Sequence, residues 1–150
     1  MRVFVTVVLL CLCLVVGAQA EIKTLTFQQG LNGYDGVQDT FLYAPDSVAN
    51  VNYGNHPTVA TGINRWGENL VTLIRFDLSD LPAEAKVLRA SLFLFDTSKE
   101  WPNDQISVSA CLVAPANAGW IAGHNEGVRI PQQGTSCWNW MAYNTRPWAG

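Results

Sequence analysis

The sequence predicts an all-β fold, a jelly-roll (Greek-key) β-sandwich, on three observations. Short runs of alternating or β-branched apolar residues recur along the chain. Gly, Pro and Asn cluster between those runs. No apolar period of 3.6 persists beyond a turn or two, so helices are not expected. The length of 150 residues suits one domain. With 49% hydrophobic and 14% charged residues, the chain is composed to fold around a core. The formal charge is −3, and no stripe of Lys or Arg occurs, so nucleic acid is excluded as an expected partner.

The first twenty residues, MRVFVTVVLLCLCLVVGAQA, read as a signal peptide. Arg2 supplies the positive start, Val3 to Val16 the apolar run, and Ala18-Gln19-Ala20 the cleavage site. The run is shorter than the roughly twenty residues a bilayer span needs. Residues 21–150 are therefore expected as a secreted, extracellular module with no membrane attachment after cleavage.

Lys23–Gln28 is the first predicted strand, with Ile22, Leu25 and Phe27 as its apolar set. QGLNGYDG at Gln29–Gly36 is a loop, marked by three glycines and an Asn-Gly pair. Asp39–Tyr43 is a strand rich in Thr, Phe and Tyr. Val71–Leu78 has period two, with Ile74, Phe76 and Leu78 expected inward and Arg75 and Asp77 outward. VLRASLFLF at Val87–Phe95 is apolar on both faces near its end, as befits a central strand. Gln105–Val113 alternates again, with Ile106, Val108, Ala110 and Leu112 expected inward. Beyond Ala114 the pattern fades into an aromatic loop region.

Asn50–Gly62, NVNYGNHPTVATG, is crowded with turn formers around Tyr53. A strand is expected at Thr58–Thr61. The turn before it is expected to join strands that are not neighbours in a hairpin, crossing from one sheet to the other as a Greek-key or jelly-roll sandwich requires. Gly54 is expected to hold a backbone angle that a Cβ resists. Tyr53 is expected to pack its ring against the end of the sandwich.

Several pieces in order resemble a known family. They are Asp39-Thr40-Phe41, Pro45, Asn52-Tyr53-Gly54, LIRFDLSDLP at Leu73–Pro82 and VLRASLFLF. Trp120 and CWNWMAYNTRPWAG at Cys137–Gly150 follow. The whole is similar to DNRLRE-type domains of secreted proteins and to carbohydrate-binding module family 96. The resemblance implies a jelly-roll sandwich carried by a larger extracellular protein, and an association with acidic polysaccharides such as alginate. The family pattern continues past the Pro-Trp element, so the sandwich is expected to lack its last strands.

Five of the six tryptophans lie after residue 100. An indole offers a flat apolar face and one N–H donor, which suits the C–H faces and polar edges of sugars. The candidate carbohydrate-binding set is Trp66, Trp138, Trp140, Tyr143 and Arg146. Trp138 and Trp140 share a face if their segment is extended, as a stacking platform or as a packed loop. Trp120 is expected in the core. Arg65, Arg75, Arg129 and Arg146 have the guanidinium geometry that matches a uronate carboxylate.

Asp39 is the candidate ligand for a structural Ca²⁺, although no D-x-D-x-D loop accompanies it; no other cofactor is expected. Removal of the leader takes Cys11 and Cys13 and leaves Cys111 and Cys137. These two form one disulfide in an oxidising compartment or stay as buried thiols. His56 and His124 stand in loops. No G-x-S-x-G or H-E-x-x-H motif occurs, so catalysis is not expected. The predicted function is non-catalytic polysaccharide binding through exposed aromatic rings. The alternatives are a structural or adhesive domain of a larger extracellular protein and, third, a polysaccharide lyase using His and Arg.

Overall fold

The computed structural model describes residues 21–97, 107–127 and 132–150. The expected signal peptide, Trp101 and Arg129 lie outside them. Among the described residues the fold is all-β, with antiparallel strands and two short 3₁₀ turns, Leu31–Gly33 and Pro115–Asn117. One sheet contains β1 (Val37–Tyr43), β2 (Gly62–Ile63) and β3 (Asn69–Phe76) in the order β1-β3-β2. A second, smaller ribbon pairs β4 (Trp140–Ala142) with β5 (Arg146–Pro147). No described helix is long and apolar enough to cross a membrane.

β1 and β3 pair along their lengths, from Val37 opposite Phe76 to Tyr43 opposite Leu70. β1 and β2 are consecutive in the chain yet separated by β3, so the segment between them joins strands that are not hairpin neighbours; it does so within one sheet, however, and not from one sheet to another as expected. The expected strand at Thr58–Thr61 forms no ladder; pairing starts at Gly62.

The phase of β3 is the reverse of the sequence expectation. Leu73 is buried, whereas Ile74 and Phe76 are half-buried and Leu78 is exposed. The register places Leu73 opposite Thr40 and Val71 opposite Leu42, on one face of the sheet. That face meets Trp120, Ala122 and Met141 from the C-terminal third, and together they form the core. Arg75 projects from the same side, with its guanidinium 5.0 Å from the Trp120 ring centre. It donates to the Ala118 carbonyl and to the Gln38 amide oxygen. The opposite face carries Phe41, whose ring stacks on Tyr53 at 4.2 Å. Tyr53 is thus the packing plug its position suggests, and burial raises its phenol pKa.

A polar junction ties the crossing segment to the C-terminal third. Asn52 is fully buried. Its Nδ2 donates to the carbonyls of Ala122 (2.5 Å) and Ser136 (2.9 Å). Its Oδ1 accepts from the amides of Gly54 (3.2 Å) and Asn125 (3.3 Å). Every hydrogen-bonding position of this amide side chain is therefore used, as a buried polar group requires. Ser136, also fully buried, accepts from the Ile121 amide and donates to the Met141 carbonyl. Gly54 serves space rather than angle: its φ is not in the left-handed range, but an added Cβ would lie 2.0 Å from the Ala122 carbonyl oxygen.

Three expected strands are absent from any ladder among the described residues: Lys23–Gln28, Val87–Phe95 and the described part of Gln105–Val113. Residues 86–96 are exposed throughout, with Phe93 at 84% and Phe95 at 94%. Leu112, expected inward, is fully exposed. A strand apolar on both faces needs a hydrogen-bonded neighbour and cover on both sides. The described residues of this chain supply neither.

Candidate functional site

The β2–β3 connection is a tight tip built by Asn64. Its backbone amide donates to the Glu68 carbonyl, and the Gly67 amide donates back to the Asn64 carbonyl. Its Oδ1 accepts from the amides of Trp66 and Glu68, both at 3.0 Å. Such side-chain-to-backbone bonds are what make Asn a turn former. Gly67 supplies the left-handed angle, φ 80°, with nothing near its absent Cβ.

The other end of the Asn64 side chain fixes the tip to the sheet. Nδ2 donates to the Tyr43 hydroxyl (2.8 Å) and to Glu68 Oε2 (2.7 Å), while that hydroxyl donates to the same Glu68 oxygen (2.5 Å). The hydrogen bond from Tyr43, and then that from Asn64, lowers the Glu68 pKa. The same bond to Glu68 raises the Tyr43 pKa. Both shifts favour an ionised carboxylate against a neutral phenol. The sequence reads Asn64–Asn69 as a polar turn and Tyr43 as a strand end, and gives Asn64, Glu68 and Tyr43 no part in the site; the signal was the N-x-x-G turn spacing around Trp66.

On this braced tip Trp66 is 66% exposed. The Arg65 guanidinium lies 4.2 Å from the centre of its ring. An indole held by its backbone in water, with a cation over the ring, presents flat apolar area and a cationic donor side by side.

The other four predicted binding residues lie elsewhere, on the C-terminal segment. Trp138 and Trp140 do not share a face. The Cys137 and Trp140 backbones exchange hydrogen bonds across a turn with Asn139 at its bend, so residues 137–140 are not extended. Asn139 is itself anchored, through its amide to Ala49 and its side chain to Asn50. Trp138 is half-buried and packs on the core with Trp148. Trp148 donates from Nε1 to the Cys137 carbonyl at 3.0 Å. Trp140 is half-buried and edge-on to Tyr143, with ring centres 6.3 Å apart. Arg146 is exposed and donates to the Ala116 carbonyl, bracing the Pro115–Asn117 turn. Trp120 is in the core, 2% exposed. No ring contact among the described residues joins Trp66 to these side chains. Beside Trp138 and Trp148 runs an open apolar groove of about 310 Å³, floored by Leu42, Val71 and Leu73 and walled by Val113.

Asp39 is half-buried on β1, and desolvation raises its carboxyl pKa. Among the described residues no group of three His, Cys, Asp or Glu side chains converges on a point. Asp39 therefore lacks the several oxygen ligands that Ca²⁺ takes, so far as acidic side chains supply them. His56 packs edge-on against Phe41, with Nδ1 2.7 Å from the Thr58 carbonyl oxygen.

The disulfide expected between Cys111 and Cys137 is not formed in this structure. Both thiols are free; Cys111 is exposed and Cys137 is 1% exposed. Burial raises the Cys137 thiol pKa, which lowers its thiolate fraction. Native protein treated with iodoacetamide is therefore expected to gain one label, at Cys111, and a second only on unfolding. Rapid labelling at both sites, or at neither, would count against this arrangement; a peptide pair joined through both residues would restore the bridge.

No family model, curated protein or solved structure matches this chain.

Proposed function

We propose that the chain is a secreted, non-catalytic module of jelly-roll type that binds polysaccharide, and that it belongs to a larger extracellular protein. The observation that carries this reading is Trp66: a ring 66% exposed on a tip made rigid by Asn64, Tyr43 and Glu68, with Arg65 stacked against it. Exposed indole on a rigid support suits the apolar face of a pyranose ring. The guanidinium of Arg65 adds a partner for a carboxylate, which favours uronate-containing chains such as alginate or pectin over neutral glucans. Binding is assigned to Trp66 and Arg65. Trp138, Trp140 and Tyr143 are assigned to packing, and Arg146 to bracing a turn.

Affinity electrophoresis through gels containing alginate, pectin or a neutral glucan tests this. The wild-type chain is expected to be retarded most in the uronate gels. Trp66→Ala is expected to weaken retardation by roughly tenfold in apparent affinity, the scale of one aromatic contact of about 1.5 kcal/mol, with its urea midpoint unchanged. Equal migration in every gel would remove the binding reading. It would leave the alternative that the packing of Trp120, Trp138 and Trp148 favours, a structural or adhesive domain whose indoles are scaffold.

A further inference from the structure

We propose that Lys86–Asp96 is a self-pairing strand, covered by the same segment of a second copy of this chain, antiparallel about a two-fold axis through Ser91. Among the described residues the segment KVLRASLFLFD forms no strand ladder, and all its residues are exposed. Its six large apolar side chains are between 52% and 94% exposed. A run of this kind is a template for another strand.

The choice of a second copy follows from the order of residues. Pairing centred on Ser91 sets Lys86 opposite Asp96 at both ends, Val87 opposite Phe95 and Leu88 opposite Leu94. It also sets Arg89 opposite Phe93 and Ala90 opposite Leu92. Each pair is of a favourable type: opposite charges, two apolar groups, or a guanidinium against an aromatic ring. Asp96 has a further interaction within its own chain, and a carboxylate has acceptor capacity for both.

Neighbouring registers lose this match. Centred on Ala90, Asp96 faces Glu84 and Lys86 faces Leu94; centred on Leu92, Asp96 faces Leu88. Like charges directly opposite, or a charge against an aliphatic chain, disfavour both. A two-fold relation uses one patch on both partners, the isologous contact of most homodimers.

The full chain, produced in a secreting host, is expected to show a concentration-dependent monomer–dimer equilibrium by sedimentation velocity. Phe93→Lys, at a side chain already in water, is expected to give monomer, with a urea midpoint equal to that of the wild type at dilutions where the wild type is also monomeric. Lys86→Glu and Asp96→Lys are each expected to weaken the dimer roughly tenfold, and the double variant to restore it. In a Cys111→Ser background, Ser91→Cys lies on the axis and is expected to form an intermolecular disulfide under mild oxidation, whereas Leu88→Cys is not. Monomer at every concentration overturns the proposal. So does a dimer that persists in Phe93→Lys, or cross-linking that is no better at position 91 than at 88. Protection of residues 87–95 from hydrogen exchange in a monomer would assign the cover to this chain itself and also overturn it.

Discussion

Replacing Asn52 by alanine is expected to destabilise the fold by about 3 kcal/mol or more. The side chain is fully buried and makes four bonds, two given and two received. Alanine fills none of them. The carbonyls of Ala122 and Ser136 lose their donor where water has no ready access, and each such loss is on the order of 1–3 kcal/mol. Relaxation will recover part, which is why the total is set below the sum. Asn52→Asp is expected to be as harmful or worse at neutral pH, since it turns a donor into a second acceptor and sets a buried charge against two carbonyl oxygens. Urea unfolding followed by the fluorescence of the tryptophans, Trp120 among them in the core, gives the midpoint shift. A loss under 1 kcal/mol for Asn52→Ala would show that the junction holds without its amide.

Gly54→Ala is expected to have an effect of comparable size from a different cause. Its Cβ would sit 2.0 Å from the Ala122 oxygen, 2.3 Å from the Ala122 carbon and 2.6 Å from the Gly123 oxygen. All three atoms are backbone, so no side chain can rotate away. Two chain segments must separate, and that separation also breaks the Asn52 bonds crossing the same gap. A cost of about 3 kcal/mol or more follows, at the upper end of overpacking effects. Gly134→Ala is the contrasting case. Its φ is 79°, yet nothing lies within 4 Å of the added atom, so only backbone strain of about 1–2 kcal/mol is expected. Equal midpoints for the two variants would refute the assignment of Gly54 to close approach.

What was legible in the sequence was what local chemistry decides. β1 and β3 stand where β-branched and aromatic residues predict strands, and the loop at Gln29–Gly36 follows its glycines. The non-adjacent connection after β1 was readable from its density of turn formers. The phase of β3 was not. Val71 and Leu73 compete with Ile74 and Phe76 for the inward side, and the winner depends on where Trp120 and Met141 arrive. Asn52 looked like one more turn residue, because the sequence shows its turn propensity and not the carbonyls it meets far along the chain. The spacing of Trp138 and Trp140 gave one face only if extended, and Asn139 bends it. Trp66 was readable because it stands in the polar turn Asn64–Asn69, where an exposed ring is a local expectation; the brace from Tyr43, across the sheet, was not.

The Asn52 amide reaches partners 70 and 84 positions away in the chain. Contacts of such high order form after a large loop has closed, and a fold rich in them folds more slowly than one built from local contacts. A chain emerging from the ribosome cannot seat this side chain until Ser136 has been released. Val87–Phe95 is outside the exit tunnel before that and stays exposed in the folded chain, so a chaperone that shields apolar segments has a claim on it until a partner covers it.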